Sequence, residues 1–142
     1  MTRRVCGVDF QGHALIPVVL VREDDGWEFV PSDPTRVTLA DFWDTSEVRL
    51  FAKAVEAFLN DHLIDEVVVK KRAAKGRYAG GAASFRMGGV LQVVTHIPVR
   101  FLSPQAVSSA VERHGFAPPA SLHKYQHRAF DVAMAYALAS RS

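Results

Sequence analysis

Cysteine is almost absent: Cys6 stands alone in 142 residues. That excludes an internal disulfide and removes the thiolate sets that build structural zinc sites. Of the six histidines only His123 and His127 stand at H-x3-H spacing, and with no cysteine or further histidine beside them they give no metal pattern of their own. Long hydrophobic runs are missing as well. The longest, "ALIPVVLV", is eight residues, against roughly 20 for a membrane span. The N-terminal "MTRR" leads into an apolar run already interrupted by Asp9, a poor signal peptide. A cytoplasmic protein with no membrane association is the expectation. Charge of one sign is scarce overall, with a net of +2, so any affinity for polyanions must come from where the charge sits.

What is present is ordinary globular composition, 49% hydrophobic and 23% charged, in a length suited to one domain, 1–142. No linker, repeat or low-complexity stretch divides it. "RVCGVDF" reads as a first strand, and "HALIPVVLV" follows it across the tight turn "QG". After "REDDG", "WEFV" makes a third strand. From Thr45 to about His62 the period changes, and Val48, Phe51, Ala52, Val55, Phe58 and Leu59 fall on one helical stripe. Asp44, with Glu47 three residues on, fits an N-terminal cap. "DEVVV" lacks polar alternation, as in a strand covered on both faces. "GGAASFRMGGVLQVVTH" predicts a second helix and "IPVRFL" a fifth strand. Ser103 and Pro104 open a third helix that Gly115 stops, and "LHKYQHRAFDVAMAYALAS" predicts one long final helix. The order β-β-β-α-β-α-β-α-α describes an α/β protein with a five-stranded mixed sheet and helices on both faces.

That order, with "GVDFQG" at the start, resembles the ribonuclease H-like fold in its RuvC-type, Holliday-junction-resolvase branch. There an Asp sits in a "GIDPG"-like context on the first strand, and Asp9 matches it. "EVVVKKR…GGAASFRMGGVLQVV" and "IPV…LSPQAVSSAV" match the branch's following segments, and "FDVAMAYALA" its last helix. Over nearly the whole length the chain also resembles a family of short bacterial proteins of unknown function bearing "VCGV[DE]" and "K-x-R-x-x-KG-x-x-AGG". The resemblance implies a phosphodiesterase using two Mg²⁺ or Mn²⁺ ions held by converging carboxylates, with DNA or RNA as partner. Asp9 and Asp131 would be the catalytic and metal-binding acids. The third acid of the pattern belongs at the end of the fourth strand, where this chain has Lys70 and Lys71. A further acid near Asp131 is also absent, since position 128 is Arg and position 134 is Met. An ammonium beside two carboxylates fills the charge deficit a metal would fill, without ligating anything.

The most unusual stretch is "KKRAAKGRYAGG". Lys70, Lys71, Arg72, Lys75 and Arg77 place five cations and no acid in eight positions, and Tyr78 could stack on a base. A solvated loop is the plain reading, and a phosphate-gripping edge the functional one. Lys124, His127, Arg128 and Asp131 share a helical face, as a local ion-paired stripe or as further phosphate contacts. Cys6 is expected to be a small core residue. Two functions stay open: a nucleic-acid-binding protein that cleaves or has lost cleavage, and a non-catalytic scaffold or partner-binding domain, perhaps a homodimer.

Overall fold

The computed structural model describes residues 2–72 and 81–139. The chain forms strands β1 (Arg3–Gln11), β2 (Ala14–Glu23), β3 (Gly26–Val30) and β4 (Val37–Thr38), then helix α1 (Thr45–Asp61), β5 (Glu66–Lys70), α2 (Ala82–Val94), β6 (Val99–Leu102), α3 (Pro104–His114) and α4 (His127–Ala139). The sheet runs β3-β2-β1-β5-β6, with β4 added to β2. β1 is antiparallel to β2 and parallel to β5, and β5 is parallel to β6. This is the mixed sheet expected, with one strand more. The extra strand, β4, has two residues, too few for any period to announce it.

Local chemistry explains the elements. Gly12 takes the left-handed conformation (φ 57°) that the two-residue turn between β1 and β2 needs. Pro17 lies inside β2, where β1 pairs on one side but neither β3 nor β4 reaches the other. The outer edge of β2 is open there, a place that tolerates a residue without an amide hydrogen. Asp44 caps α1 by accepting from the Ser46 amide and hydroxyl, not through the Glu47 reciprocity of a capping box. Ser103 caps α3 through the Ala106 amide, Pro104 follows it, and Gly115 ends the helix at φ 65°. The expected single final helix is two pieces: a 3-10 turn at Lys124–Gln126, then α4.

Two cores sandwich the sheet. Cys6, Val8 and Phe10 of β1 face one way, into Phe51, Val55, Met87 and Leu91 of α1 and α2. Burial pushes the Cys6 thiol up to about 12, so it is an inert packing group. Alternate residues face α4, which packs Ala129 and Ala133 against Ile16, Val18 and Leu20 of β2, and Val132 and Ala135 against Val5 and Val68. Gly7 makes the close approach possible. A Cβ there would lie 2.3 Å from the Ala129 carbonyl oxygen and 2.6 Å from the Ala133 Cβ. Among the described residues no helix is long and apolar enough to cross a membrane.

Candidate nucleic-acid interface

The C-terminal ends of β1, β5 and β6 lie side by side at one edge of the sheet, because these three strands are parallel. Open α/β sheets characteristically bind ligands at that edge. Pleat alternation puts Val5, Gly7 and Asp9 on the α4 face of β1, and Val68 and Lys70 on the α4 face of β5. The last paired residues of β1 and β5 are Val8 and Val69. One step beyond them, Asp9, still paired with β2, and Lys70, still paired with β6, lie on the same face of the sheet.

Asp9 is buried, 1% exposed, and is held from its own strand. Gln11, two positions on and so on the same face, donates its side-chain amide to Asp9 Oδ2 at 2.9 Å. The second hydrogen of that amide goes to the Tyr125 carbonyl at 2.6 Å. One Gln side chain thus ties the end of β1 to the turn that launches α4. Asp131 reaches the same edge from α4. Partial burial raises its pKa above the ordinary carboxylate value, while the His127 and Lys70 charges pull it back. Lys70 therefore faces Asp131, in the slot where the resemblance would put a third acid.

The cations gather around these acids. Lys70 is half-buried, Lys71 is exposed, and Arg72 donates to the Phe10 carbonyl at 2.8 Å, which pins its guanidinium beside the end of β1. Arg72, Lys124, Arg128 and His123 line an open groove of about 810 Å³ whose floor includes Gln11 and Gly12. Tyr125 stands at its side between two cationic or aromatic partners. Arg36 lies 4.4 Å above its ring, His123 stacks at 5.3 Å, and its hydroxyl shares a 2.7 Å hydrogen bond with Thr35.

Of the residues singled out from sequence, Lys70, Asp131 and His127 come together, and Arg72 and Lys124 share the adjoining groove. Lys75, Arg77 and Tyr78 lie outside the described residues. Sequence reading missed Gln11, whose position two residues from Asp9 on a strand was the available signal. It also left out Arg36 and His123, which reach the groove only through tertiary packing.

The acids do not suit a two-ion centre. Such a centre needs several converging oxygen ligands. The candidates here are Asp9, which already accepts from Gln11, and Asp131, which already faces two cations. Among the described residues, three acidic groups converge only at Asp41, Asp44 and Glu47, by the start of α1, where Asp44 already caps the helix.

The fold matches known resolvases. The structure superposes on Thermus thermophilus RuvC with a TM-score of 0.71 at 18% identity, covering 94% of this chain and 93% of that one. The T. thermophilus RuvC in complex with a Holliday junction substrate gives 0.70 at 17% identity, over 95% and 93% of the two chains. The yeast mitochondrial Holliday junction resolvase gives 0.51 at 11% identity, over 75% of this chain and 53% of that one. The ribonuclease H-like fold is thereby established. Comparison with curated proteins finds no match. A family model matches residues 3–136, nearly the full length, and the chain belongs to the family described as protein of unknown function (DUF3010).

Proposed function

We propose that the protein binds the sugar–phosphate backbone of DNA or RNA along the C-terminal edge of β1, β5 and β6, without two-metal cleavage. The observation that carries this reading is the convergence of Lys70, Lys71, Arg72, Lys124 and Arg128 on one strand-end edge. Five cations on one edge of a molecule of net charge +2 create a local positive field the total conceals. Arg72 supplies a planar fork suited to phosphate oxygens, and Lys70 and Lys71 supply point charges. Lys70, whose charge acts on Asp131 and which lies one step past the β1–β5 pairing beside Asp9, would take the place of a metal as counter-charge. His127, whose charge acts on Asp131, would add a further contact. Support from relatives is indirect: a RuvC of the same fold has been captured on a Holliday junction.

The test is binding of the purified protein to labelled duplex, single-stranded and four-way-junction DNA, and to RNA, at two salt concentrations, with Mn²⁺ or EDTA. Affinity should fall steeply with salt, with a log–log slope approaching about −4 for five phosphate contacts on duplex, and should survive EDTA. Product bands that need Mn²⁺ would refute the loss of cleavage and return Asp9 and Asp131 to metal binding. No binding at low salt would remove the nucleic-acid reading in favour of a protein scaffold or homodimer.

A further inference from the structure

On the other face of the same edge, between the strand ends and α2, lies a second cavity, of about 290 Å³. That is close to the ~300 Å³ lower end of small-molecule sites. Its floor is apolar, with Phe10 and Val69 from the buried core. Two rings that the fold leaves half in water line it, Phe85 of α2 at 50% exposure and Phe101 of β6 at 40%. Gln92 brings an amide with both a donor and an acceptor to the wall. Lys70, Lys71 and Arg72 also line it, so the apolar slot has cations at its edge. α2 presents two glycines to it. A Cβ on Gly88 would make only an ordinary 3.6 Å contact with the Phe10 ring, and one on Gly89 would meet nothing within 4 Å. The space is therefore open where side chains would otherwise fill it.

We infer that this cavity receives a single nucleobase whose phosphate is held by Lys71 and Arg72. Exposed aromatic walls recognise the π-face of any base, the Gln92 amide can pair with a base edge, and the adjoining cations match an attached phosphate. Arg72 lines both this cavity and the basic groove on the α4 face, so a strand crossing the sheet edge at Arg72 can lay its backbone in the groove and turn one base into the slot. For a strand-borne base the inference rests on the backbone-binding reading. The same chemistry also describes a free mononucleotide.

The test uses 2-aminopurine, whose emission reports stacking, in two forms: within a single-stranded oligonucleotide, and as the free 5′-monophosphate. Gly89→Leu is the blocking variant. It puts a side chain at the cavity wall, where an added Cβ meets nothing within 4 Å, and replaces a helical glycine with a better helix former. Phe85→Ala removes a wall from an exposed position. Wild-type protein should change the emission on binding. Both variants should abolish that change and weaken single-strand binding by roughly 5- to 150-fold, the loss of one stacked base, with duplex affinity within about twofold. Emission changes with the monophosphate alone would identify the free nucleotide as the source. If Gly89→Leu binds the strand and shifts emission like wild type, the cavity is not the base site. Duplex binding with no emission change in either form would overturn the cavity and spare the backbone reading. Loss of all strand binding with retained monophosphate binding would do the reverse. Dissociation of a dimer by Gly89→Leu, with no emission change, would assign the slot to a second copy and overturn the inference.

Discussion

Gly7→Ala would test whether the contact between β1 and α4 sets both stability and site geometry. The added Cβ would sit 2.3 Å from the Ala129 carbonyl oxygen, 2.6 Å from the Ala133 Cβ and 3.0 Å from the Ala133 amide nitrogen. A comfortable carbon–oxygen contact is about 3.3 Å, so the carbonyl must retreat by about 1 Å. A helix carbonyl cannot do so alone, and α4 must shift bodily. Ala129 and Ala133 then loosen against β2, and Val132 and Ala135 against Val5 and Val68. Overpacking of this kind costs up to about 3 kcal/mol, and relief of the glycine's strand entropy returns about 0.5–1 kcal/mol. The net loss of about 2 kcal/mol should lower Tm by roughly 7 °C at this chain length. Gly88→Ala is the matched control. Its Cβ meets the Phe10 ring at 3.6 Å, an ordinary distance, and a helical Gly→Ala change should add up to about 1 kcal/mol. Thermal and urea melts followed by circular dichroism read both. Because α4 carries Asp131 away from Lys70, the Gly7→Ala protein should also show a still higher Asp131 pKa by carboxyl-carbon NMR. A Gly7→Ala melt within about 1 °C of wild type, or equal damage from Gly88→Ala, would refute the close-packing account.

Two further perturbations probe the charged groups. Asp131 has a raised pKa because burial outweighs His127 and Lys70. Its contribution to stability is therefore full below the ordinary aspartate value of about 3.9 and is lost as pH rises through the raised value. Asp131→Asn should stabilise the protein at pH 7, with the gain vanishing near pH 3, and Lys70→Met should push the Asp131 pKa higher; melts across pH and NMR titration check the two effects. Glu66 behaves oppositely: burial raises its pKa, but hydrogen bonds from Tyr136 and Arg3 outweigh burial and lower it. Its contribution is present above about pH 4.3 and fades as pH falls through the lowered value. Glu66→Gln should cost about 1–3 kcal/mol at pH 7 and flatten the acid limb of the stability curve; an unchanged acid limb would show the cluster to be inert.

The fold was legible where local chemistry decides it. Ser103, Pro104 and Gly115 marked both ends of α3, and the unbroken apolar run of β5 announced a strand covered on both faces. β4 was not legible, because two residues pair only where β2 offers an edge. The break before α4 was hidden too, since Lys124–Gln126 continues the helical pattern of the sequence while Gln126 turns back to accept from the His123 amide. Asp9 and Lys70 could be placed on strands from local pattern but beside one another only through the resemblance, since the pairing of β1 with β5 spans more than 50 residues of chain. The link from Gln11 to Tyr125 joins positions 114 apart, a closure that only the packed α4 creates.

The register also explains how a chain of net charge +2 can present a basic edge. Arg3 pairs opposite Arg22, and Val5 beside Glu66, so the start of β1, the β2–β3 turn and the start of β5 share one end of the sheet. Glu23, Asp24, Asp25, Asp65 and Glu66 are all assigned to that end by the pairing, where they outnumber Arg3, Arg4 and Arg22. At the opposite end, among the described residues, Lys70, Lys71, Arg72, Lys124 and Arg128 gather near Asp9 of β1 and Asp131 of α4, while Asp41, Asp44 and Glu47 stay on the flank near His13. A one-step slip of β5 against β1 would turn Lys70 away from α4 and toward α2. The pairing that builds the core therefore also brings Lys70 and its neighbouring cations to one edge, and the proposed binding would share its cause with stability.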